Sequence, residues 1–168
     1  MGARPEPLTG RDRVILGLLV FFTLFNVTLD LYLVVHWREI PRRVATDPIA
    51  ALWAIYAVAD DTWIVTPWSA AQEALNVFVT SFVNLWLIWA ILKRRPYRHA
   101  LQLTLGSYLT YSVVHYCLAN HLGGYAGMRQ PGVFAFLLFY GSLIPWFFGH
   151  LYMAWDSFVA ITRRFADG

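Results

Sequence analysis

The stretch that decides the fold is residues 72–96, QEALNVFVTSFVNLWLIWAILKRRP. It begins with a carboxylate at Glu73, has no further charged side chain until Lys93, and ends in basic residues followed by Pro96. An α-helix needs roughly 20 mostly apolar residues to cross the hydrocarbon core of a membrane. This stretch has that length and composition, so we predict a transmembrane helix over about residues 70–92.

The whole sequence has the composition of a membrane protein. Of its 168 residues, 58% are hydrophobic, 17% are aromatic and only 14% are charged, which is more apolar surface than a soluble domain of this size can bury. Strands are excluded because an open sheet edge cannot face lipid. Three other stretches are long and apolar enough to cross as helices: residues 14–35, 100–122 and 133–161. We therefore predict an all-α polytopic membrane protein, a four-transmembrane-helix bundle that forms one domain over residues 1–168.

The basic residues predict the orientation of this bundle. Most of the 13 Lys and Arg side chains would lie on one side of four crossings: Arg4, Arg11, Arg13, Lys93, Arg94, Arg95, Arg98, Arg163 and Arg164. By the positive-inside rule, both termini and the link at residues 93–99 are cytoplasmic. A bacterial plasma membrane and the endoplasmic reticulum both fit this topology. The basic residues form no stripe with an aromatic platform, so we expect no nucleic-acid partner. The remaining partners are the lipid bilayer, a small apolar molecule and a second copy of the chain in a homodimer.

One connection, residues 36–69, is much longer than the other links. Its segment 49–59 is apolar and aromatic, a composition typical of a short helix that lies in the membrane interface or covers the end of a bundle. A long loop of this kind is seldom a plain linker. We therefore expect a short interfacial helix in the first loop.

Three carboxylates lie within the predicted spans, and one of them, Asp156, is near the cytoplasmic end of its span and is expected to be interfacial. The other two are Asp30 and Glu73, and a charged group inside a span is costly and usually faces a cavity or a partner. Asp30 follows Asn26 by four residues in the first span, so both side chains lie on one helical face. Glu73 and Asn76, three residues apart, share a face at the start of the second span. Two alternatives remain. The pair in the first span could only join helices by hydrogen bonds, and Glu73 could be a solvated first-turn carboxylate stabilised by the helix dipole.

Aromatic and polar side chains recur at helical spacing in the last two predicted spans. These stripes are Tyr108, Tyr111 and His115 in the third span, and Ser142, Trp146 and His150 in the fourth. The face of Trp146 can stabilise a cation and His115 can carry protons, although helix packing explains the same residues. Together with the carboxylates and amides, these side chains predict an apolar chamber that suits an apolar ligand with one polar end.

The sequence lacks the motifs of common soluble enzymes. It contains no glycine-rich phosphate loop, no HExxH, no CxxC and no Ser-His-Asp arrangement. The histidines fall on different elements and on opposite sides of the membrane, so we predict no metal site, and we expect no cofactor. The chamber could host protonation of an alkene by a carboxylic acid, with aromatic faces sheltering the carbocation.

Three stretches resemble one family of membrane proteins. They are residues 72–96, in which an acid opens a span and a basic link with proline closes it, residues 101–124, LQLTLGSYLTYSVVHYCLANHLGG, and residues 56–63, YAVADDTW. They are similar to the EXPERA superfamily, which includes the emopamil-binding protein, a sterol Δ8-Δ7 isomerase, and the sigma-2 receptor. The resemblance covers about residues 21–158. It implies a four-helix membrane fold around a pocket for sterols or triterpenoids.

The resemblance also implies roles for residues of the first two spans. The family's proton-handling glutamate falls on Glu73, and its neighbouring threonine falls on Asn76. The family's span-one histidine and glutamate fall on Asn26 and Asp30. Replacement of the histidine by Asn26 removes one titratable group from the set that the family uses for acid–base chemistry.

In the rest of the chain the resemblance is carried by the last span and the first loop. The family's tryptophan that faces the cationic centre of the ligand matches Trp146. The asparagine before it matches Ser142, and the spacing between this position and the tryptophan is one residue longer here than in the family. Tyr56 and Asp60 match the loop element Tyr-x-x-x-Asp-x-Arg-Tyr of the family, in which Thr62 replaces the arginine.

We therefore predict an integral membrane isomerase or cyclase that acts on a sterol-like or terpenoid substrate by acid-initiated carbocation chemistry. Asp30 and Glu73 are the predicted catalytic residues. The predicted ligand-binding residues are Asn26, Asn76, Tyr108, Tyr111, His115, Ser142 and Trp146. The alternative is a non-catalytic membrane protein that binds sterols or amphiphilic amines, like the sigma-2 receptor. A third interpretation is a chaperone or trafficking partner whose intramembrane polar residues serve only helix packing.

Overall fold

The computed structural model describes residues 7–166, so the predicted cytoplasmic Arg4 lies outside the described part. Within these residues the protein is helical and contains no strand, which confirms the all-α prediction. The α-helices in this part are α1 (Gly10–Phe25), α2 (Leu31–His36), α3 (Ile40–Arg43), α4 (Pro48–Tyr56), α5 (Thr62–Val65), α6 (Pro67–Leu75), α7 (Ser81–Leu92), α8 (Arg98–Leu122) and α9 (Val133–Ala166). Two π-helical turns complete the long helices, Asn26–Asp30 between α1 and α2, and Asn76–Thr80 between α6 and α7.

In the described part, three helical segments are long and apolar enough to cross a membrane. They are Gly10–His36, Pro67–Leu92 and Val133–Ala166. These segments correspond to the first, second and fourth predicted spans, and they extend beyond the predicted bounds by about one helical turn. The third predicted span is also a long helix, α8, with 25 residues, but its composition is more polar than that of the other three.

Local signals at the helix starts explain why the helices begin before the apolar runs. The hydroxyl of Thr9 accepts a hydrogen bond from the Asp12 N–H at 3.1 Å, and the Thr9 N–H donates to the Asp12 carboxylate at 3.0 Å. This reciprocal pair caps α1. Asp47 caps α4 by accepting from the Ile49 N–H at 2.9 Å. Pro67 is the first residue of α6, where its missing N–H is harmless.

The helices α8 and α9 pack against each other over most of their length, with Gly106 at their closest contact, and Gly149 of α9 faces α1. A Cβ atom at Gly106 would lie 2.7 Å from the backbone nitrogen of Ala154 and 2.7 Å from the carbonyl oxygen of His150. A Cβ atom at Gly149 would lie 2.7 Å from the Phe22 ring of α1. At Gly106 the neighbours are backbone atoms, so a larger residue could not be accommodated without moving α8 and α9 apart, whereas at Gly149 the Phe22 side chain would have to shift.

The bundle is layered along its axis. At one end the Asp12 carboxylate pairs with Arg94 at 3.1 Å and with Arg98 at 2.9 Å. The next layer is a buried apolar cluster: Ile15, Leu19, Phe22, Leu87, Ile91, Leu105, Leu109 and Met153. At the other end α2 and the first loop contribute a second cluster: Leu33, Ile40, Ala50, Trp53, Ala57, Trp63 and Ile64. A cavity lined by members of both clusters lies between them.

Candidate ligand-binding site

The cavity has a volume of about 480 Å³, which is within the range of roughly 300–1,000 Å³ typical of small-molecule sites. Most of its wall is apolar and aromatic, with Phe22 and Phe25 from α1, Trp53 from α4, Trp63 from α5 and Trp146 from α9. A smaller number of polar side chains converge on one part of it. A lining of this kind suits a hydrophobic ligand that carries a few polar groups.

Two carboxyl groups from different long helices meet in the cavity. Asp30 ends the first π turn, and Glu73 lies in the last turn of α6. Their side chains are 3% and 6% exposed, and the two carboxyl groups lie within hydrogen-bonding reach of each other. An ionised carboxylate can only accept, so a hydrogen bond between the two requires that one of them carries a proton. The pair can therefore hold a proton inside an apolar cavity.

Two asparagines connect this carboxyl pair to the helix backbones. Asn76 Nδ2 donates to Glu73 Oε2 at 2.9 Å. Asn26 Nδ2 donates to the carbonyl oxygen of Asn76 at 3.0 Å and to the hydroxyl of Ser81 at 3.1 Å. A π turn breaks the regular backbone hydrogen bonding of an α-helix. Asn26 lies in the first π turn, and its side-chain N–H donates to a backbone carbonyl of the second π turn. Asn26 therefore joins the two helices and lines the cavity as well.

The aromatic side chains of α1 and α9 form one wall of the cavity. Trp146 stacks on Phe22 with ring centroids 4.6 Å apart and meets Phe25 edge to face at 5.2 Å. His150, one turn after Trp146, also stacks on Phe22, with centroids 4.2 Å apart. The faces of aromatic rings attract positive charge. This wall, which we call the aromatic wall, can therefore stabilise a cation formed or bound in the cavity.

The first loop closes the cavity with a hydrogen-bonded group of side chains. Trp63 Nε1 donates to the Tyr116 hydroxyl at 2.7 Å, and Tyr116 donates to the buried Asp60 carboxylate. Thr62 donates to Asp60 from its N–H at 3.0 Å and from its hydroxyl at 2.6 Å. The Tyr56 and Tyr116 hydroxyl oxygens lie 3.4 Å apart. Burial raises the pKa of Tyr56 to about 12, so it remains a neutral phenol at physiological pH.

Most of the predicted site residues line this one cavity: Asn26, Asp30, Glu73, Asn76, His115, Ser142 and Trp146. Tyr108 and Tyr111 do not line it, because their side chains are 52% and 63% exposed on the outer face of α8. The helix α8 instead turns Leu109, Ser112 and Tyr116 toward the cavity. The structure thus places these two tyrosines away from the other predicted site residues, and their role in ligand binding stays a prediction. Aromatic side chains of a membrane helix can face lipid as readily as a ligand.

Several cavity residues were not predicted from the sequence. Trp53 and Trp63 line the cavity because the first loop folds over it, and Tyr116 joins them from α8. The sequence indicates Asp60 through the family resemblance alone. In the structure its side chain is only 1% exposed, and its buried carboxylate explains how the loop is held. The available signal for the burial of Asp60 was an acidic residue within an otherwise apolar and aromatic loop segment.

Comparison with known families gives a match over residues 48–157 to the family EBP, described as EXPERA (EXPanded EBP superfamily). The matched region begins at the first residue of α4 and ends within α9. It includes Glu73 and Trp146, together with the loop that closes the cavity. The helix that carries Asn26 and Asp30 precedes it.

Proposed function

Because this chain belongs to the EXPERA superfamily, we propose that it is an integral membrane isomerase or cyclase that acts on a sterol-like or terpenoid molecule. Three long apolar helices point to a membrane protein. The cavity between them offers an apolar surface for a polycyclic or isoprenoid skeleton. The observation that carries the proposal is the contact between the carboxyl groups of Asp30 and Glu73 inside that cavity.

The proposed reaction is a proton transfer to a C=C bond and a proton loss from a neighbouring carbon. The protonated member of the carboxyl pair gives its proton to one alkene carbon, and the π electrons form the new C–H bond. The positive charge on the other carbon faces the aromatic wall. A carboxylate then removes a proton from an adjacent carbon, which forms the shifted double bond and returns the pair to its starting charge. In a cyclase, a second double bond attacks the cation before the proton is lost.

Turnover by carboxyl variants tests this reaction. Asp30→Asn and Glu73→Gln keep the size of each side chain and remove its acid, so each should lower turnover by about 100-fold or more. The assay uses a panel of sterol and cyclic terpene alkenes, with helix content measured by circular dichroism. Glu39→Gln is the matched control, because Glu39 is an exposed carboxylate paired with Arg43 at 2.5 Å. Full activity in both pocket variants would remove the mechanism.

A second candidate function, a non-catalytic receptor for sterols or amphiphilic amines, is favoured by the hydrogen bonds of Asn26. Its amide nitrogen is engaged by Asn76 and Ser81, and an amide does not titrate as the family's histidine does. In this case an amphiphilic amine binds through the carboxyl pair and the aromatic wall, while no alkene of the panel is converted. An amine affinity that is unchanged in both Asp30→Asn and Glu73→Gln would exclude this mode of binding.

We further propose that α8 is a fourth membrane span, so that the chain forms a single four-helix domain. Its 25 residues give a length of about 37 Å at 1.5 Å per residue. Its buried Gln102 donates to the carbonyl oxygen of Met153 at 3.0 Å, and Thr110 donates to that of Gly106 at 2.7 Å. Polar side chains paired in this way are tolerated within a span. In this arrangement α4 lies at the interface, and both termini are cytoplasmic in a bacterial plasma membrane or the endoplasmic reticulum.

A further inference from the structure

The end of the bundle that contains Asp12, which we call the basic end, carries many more basic than acidic side chains. Its two acidic residues within residues 7–166 are Asp12, which pairs with Arg98 at 2.9 Å, and Asp156, which pairs with Arg11 at 3.6 Å. Its basic residues are Arg11, Arg13, Lys93, Arg94, Arg95, Arg98, Arg163 and Arg164. Two carboxylates cannot neutralise eight basic side chains, so the basic end attracts anions.

His99, the second residue of α8, is buried among these charges. It is 8% exposed, and the charges of Arg98, Arg164 and Asp156 all act on its imidazole. Arg98 Nε donates to His99 Nε2 at 3.2 Å. Because Nε2 accepts, Nδ1 carries the hydrogen of the neutral ring. Nδ1 is enclosed and has no hydrogen-bond partner within residues 7–166, so His99 presents an unpaired donor.

The start of α8 as a whole favours a negatively charged acceptor. A buried donor without an acceptor is costly, and such groups are rare in proteins. Tyr97, the N-cap residue of α8, gives no side-chain hydrogen bond to the backbone N–H groups of the first turn. Uncapped N–H groups at a helix start favour an anion. The unpaired donor of His99, the uncapped first turn and the surrounding arginines therefore point to the same kind of ligand.

Two aromatic side chains place the start of α8 at the depth of the lipid headgroups. Trp86 Nε1 donates to the Tyr97 hydroxyl at 3.2 Å, and both side chains are exposed on the outside of the bundle. Exposed tryptophan and tyrosine near span ends are typical of the membrane interface. Tyr97 directly precedes Arg98, so the arginines at this level face the phosphate groups of the bilayer.

We propose that Arg98, His99 and Arg164 bind the phosphate group of an anionic membrane lipid at the basic end. The two arginines supply positive charge, and a phosphate oxygen accepts the hydrogen of His99 Nδ1. Because Nδ1 is enclosed, this contact requires a small side-chain movement. Arg164 is placed to make it, since it is exposed in the last turn of α9. The buried apolar cluster separates the basic end from the cavity, so the inference does not depend on the proposed function.

Titration with short-chain lipids tests this site. The full-length protein in neutral detergent micelles is titrated with dioctanoyl phosphatidic acid and with dioctanoyl phosphatidylcholine, and binding is measured by native mass spectrometry. Phosphatidic acid should bind about ten-fold more tightly, which equals about 1.4 kcal/mol, because the phosphatidylcholine headgroup has no net charge. Arg164→Gln should remove most of this preference. Arg163→Gln is the matched control, because it removes the same charge from a residue that the helix turns roughly 100° away, and it should keep the preference.

A further variant and a competitor complete the test. His99→Phe keeps a ring of similar size without the donor, and it should weaken the binding of phosphatidic acid about five-fold while leaving that of phosphatidylcholine unchanged. Equal affinity of the wild-type protein for the two lipids would overturn the site. Equal losses in Arg163→Gln and Arg164→Gln would also overturn it, since they would show a diffuse attraction by the whole basic end. Inorganic phosphate that binds as tightly as phosphatidic acid would overturn the assignment to a lipid.

Discussion

Asp60 is a buried carboxylate. Its hydrogen-bond donors within residues 7–166 belong to the first loop and to α8. Its donors are the Tyr116 hydroxyl and the N–H and hydroxyl of Thr62. Asp60→Asn would place an N–H group against at least one of these donors, because the amide nitrogen cannot accept. We expect it to lower the free energy of unfolding by about 1–3 kcal/mol, measured by thermal unfolding in detergent.

The neighbouring residue provides the control for this variant. Asp61 is 32% exposed and pairs with Arg129 at 3.3 Å. Exposed ion pairs contribute little to stability, about 0–1 kcal/mol. Asp61→Asn should therefore change the unfolding temperature much less than Asp60→Asn does. Equal effects of the two substitutions would show that the buried hydrogen bonds of Asp60 do not hold the loop.

Single residues also show what could be predicted from the sequence. Asp30 and Glu73 were identified because an acid inside an apolar span is rare and has few roles. The sequence predicts Tyr108 and Tyr111 as ligand-binding residues and does not single out Tyr116, since nearly every face of α8 carries aromatic or polar residues and the pattern does not fix which face turns inward. Contacts across the fold decide it, namely the bond from Tyr116 to Asp60 and the packing of α8 on α9.

The packing of α8 on α9 depends on one glycine, and this gives a prediction at the level of helices. At Gly106 a methyl group would lie 2.7 Å from backbone atoms of both Ala154 and His150. Gly106→Ala should therefore push the helices apart and destabilise the protein by about 1–3 kcal/mol. Gly141→Ala is the matched control in α9, because a methyl group there meets nothing within 4 Å. It should be neutral or slightly stabilising, since alanine favours helix.

Chemical unfolding of the two glycine variants in detergent measures this difference. The transition midpoint should fall for Gly106→Ala and stay or rise for Gly141→Ala. A Gly106→Ala protein as stable as the wild type would contradict the close approach of the two helices. Because Gly106 contacts the backbone of His150, the variant should also weaken ligand binding more than the control does.

The sequence predicts the positions of the long helices more completely than their local backbone geometry. Apolar length fixed the positions of the long helices, because a run of this length without charges has few alternatives. The two π turns were not predicted, since Asn26 and Asn76 carry no local signal for them. The first turn donates a hydrogen bond to the second, so their geometry depends on a contact between residues that are far apart in the sequence.

At the scale of the whole molecule, the ion pairs at one end predict the number of crossings. Arg11 near the start of α1 lies 3.6 Å from Asp156 near the end of α9. Arg11 and Asp156 therefore lie at the same end of the bundle, an arrangement that supports the proposed four crossings. Tags at the two termini should both be protected, or both be accessible, when sealed vesicles are treated with a membrane-impermeant label. Labelling of one terminus only would exclude the four-span arrangement.

The most direct test of acid-initiated chemistry in this pocket is turnover of a sterol or terpene alkene in deuterated water, followed by mass spectrometry of the product. If the carboxyl pair of Asp30 and Glu73 supplies the proton, its exchange with solvent places one deuterium in each product molecule. Asp30→Asn and Glu73→Gln should lose this labelled product, and Glu39→Gln should retain it. An unlabelled product, or a labelled product formed at the wild-type rate by both pocket variants, would contradict the mechanism.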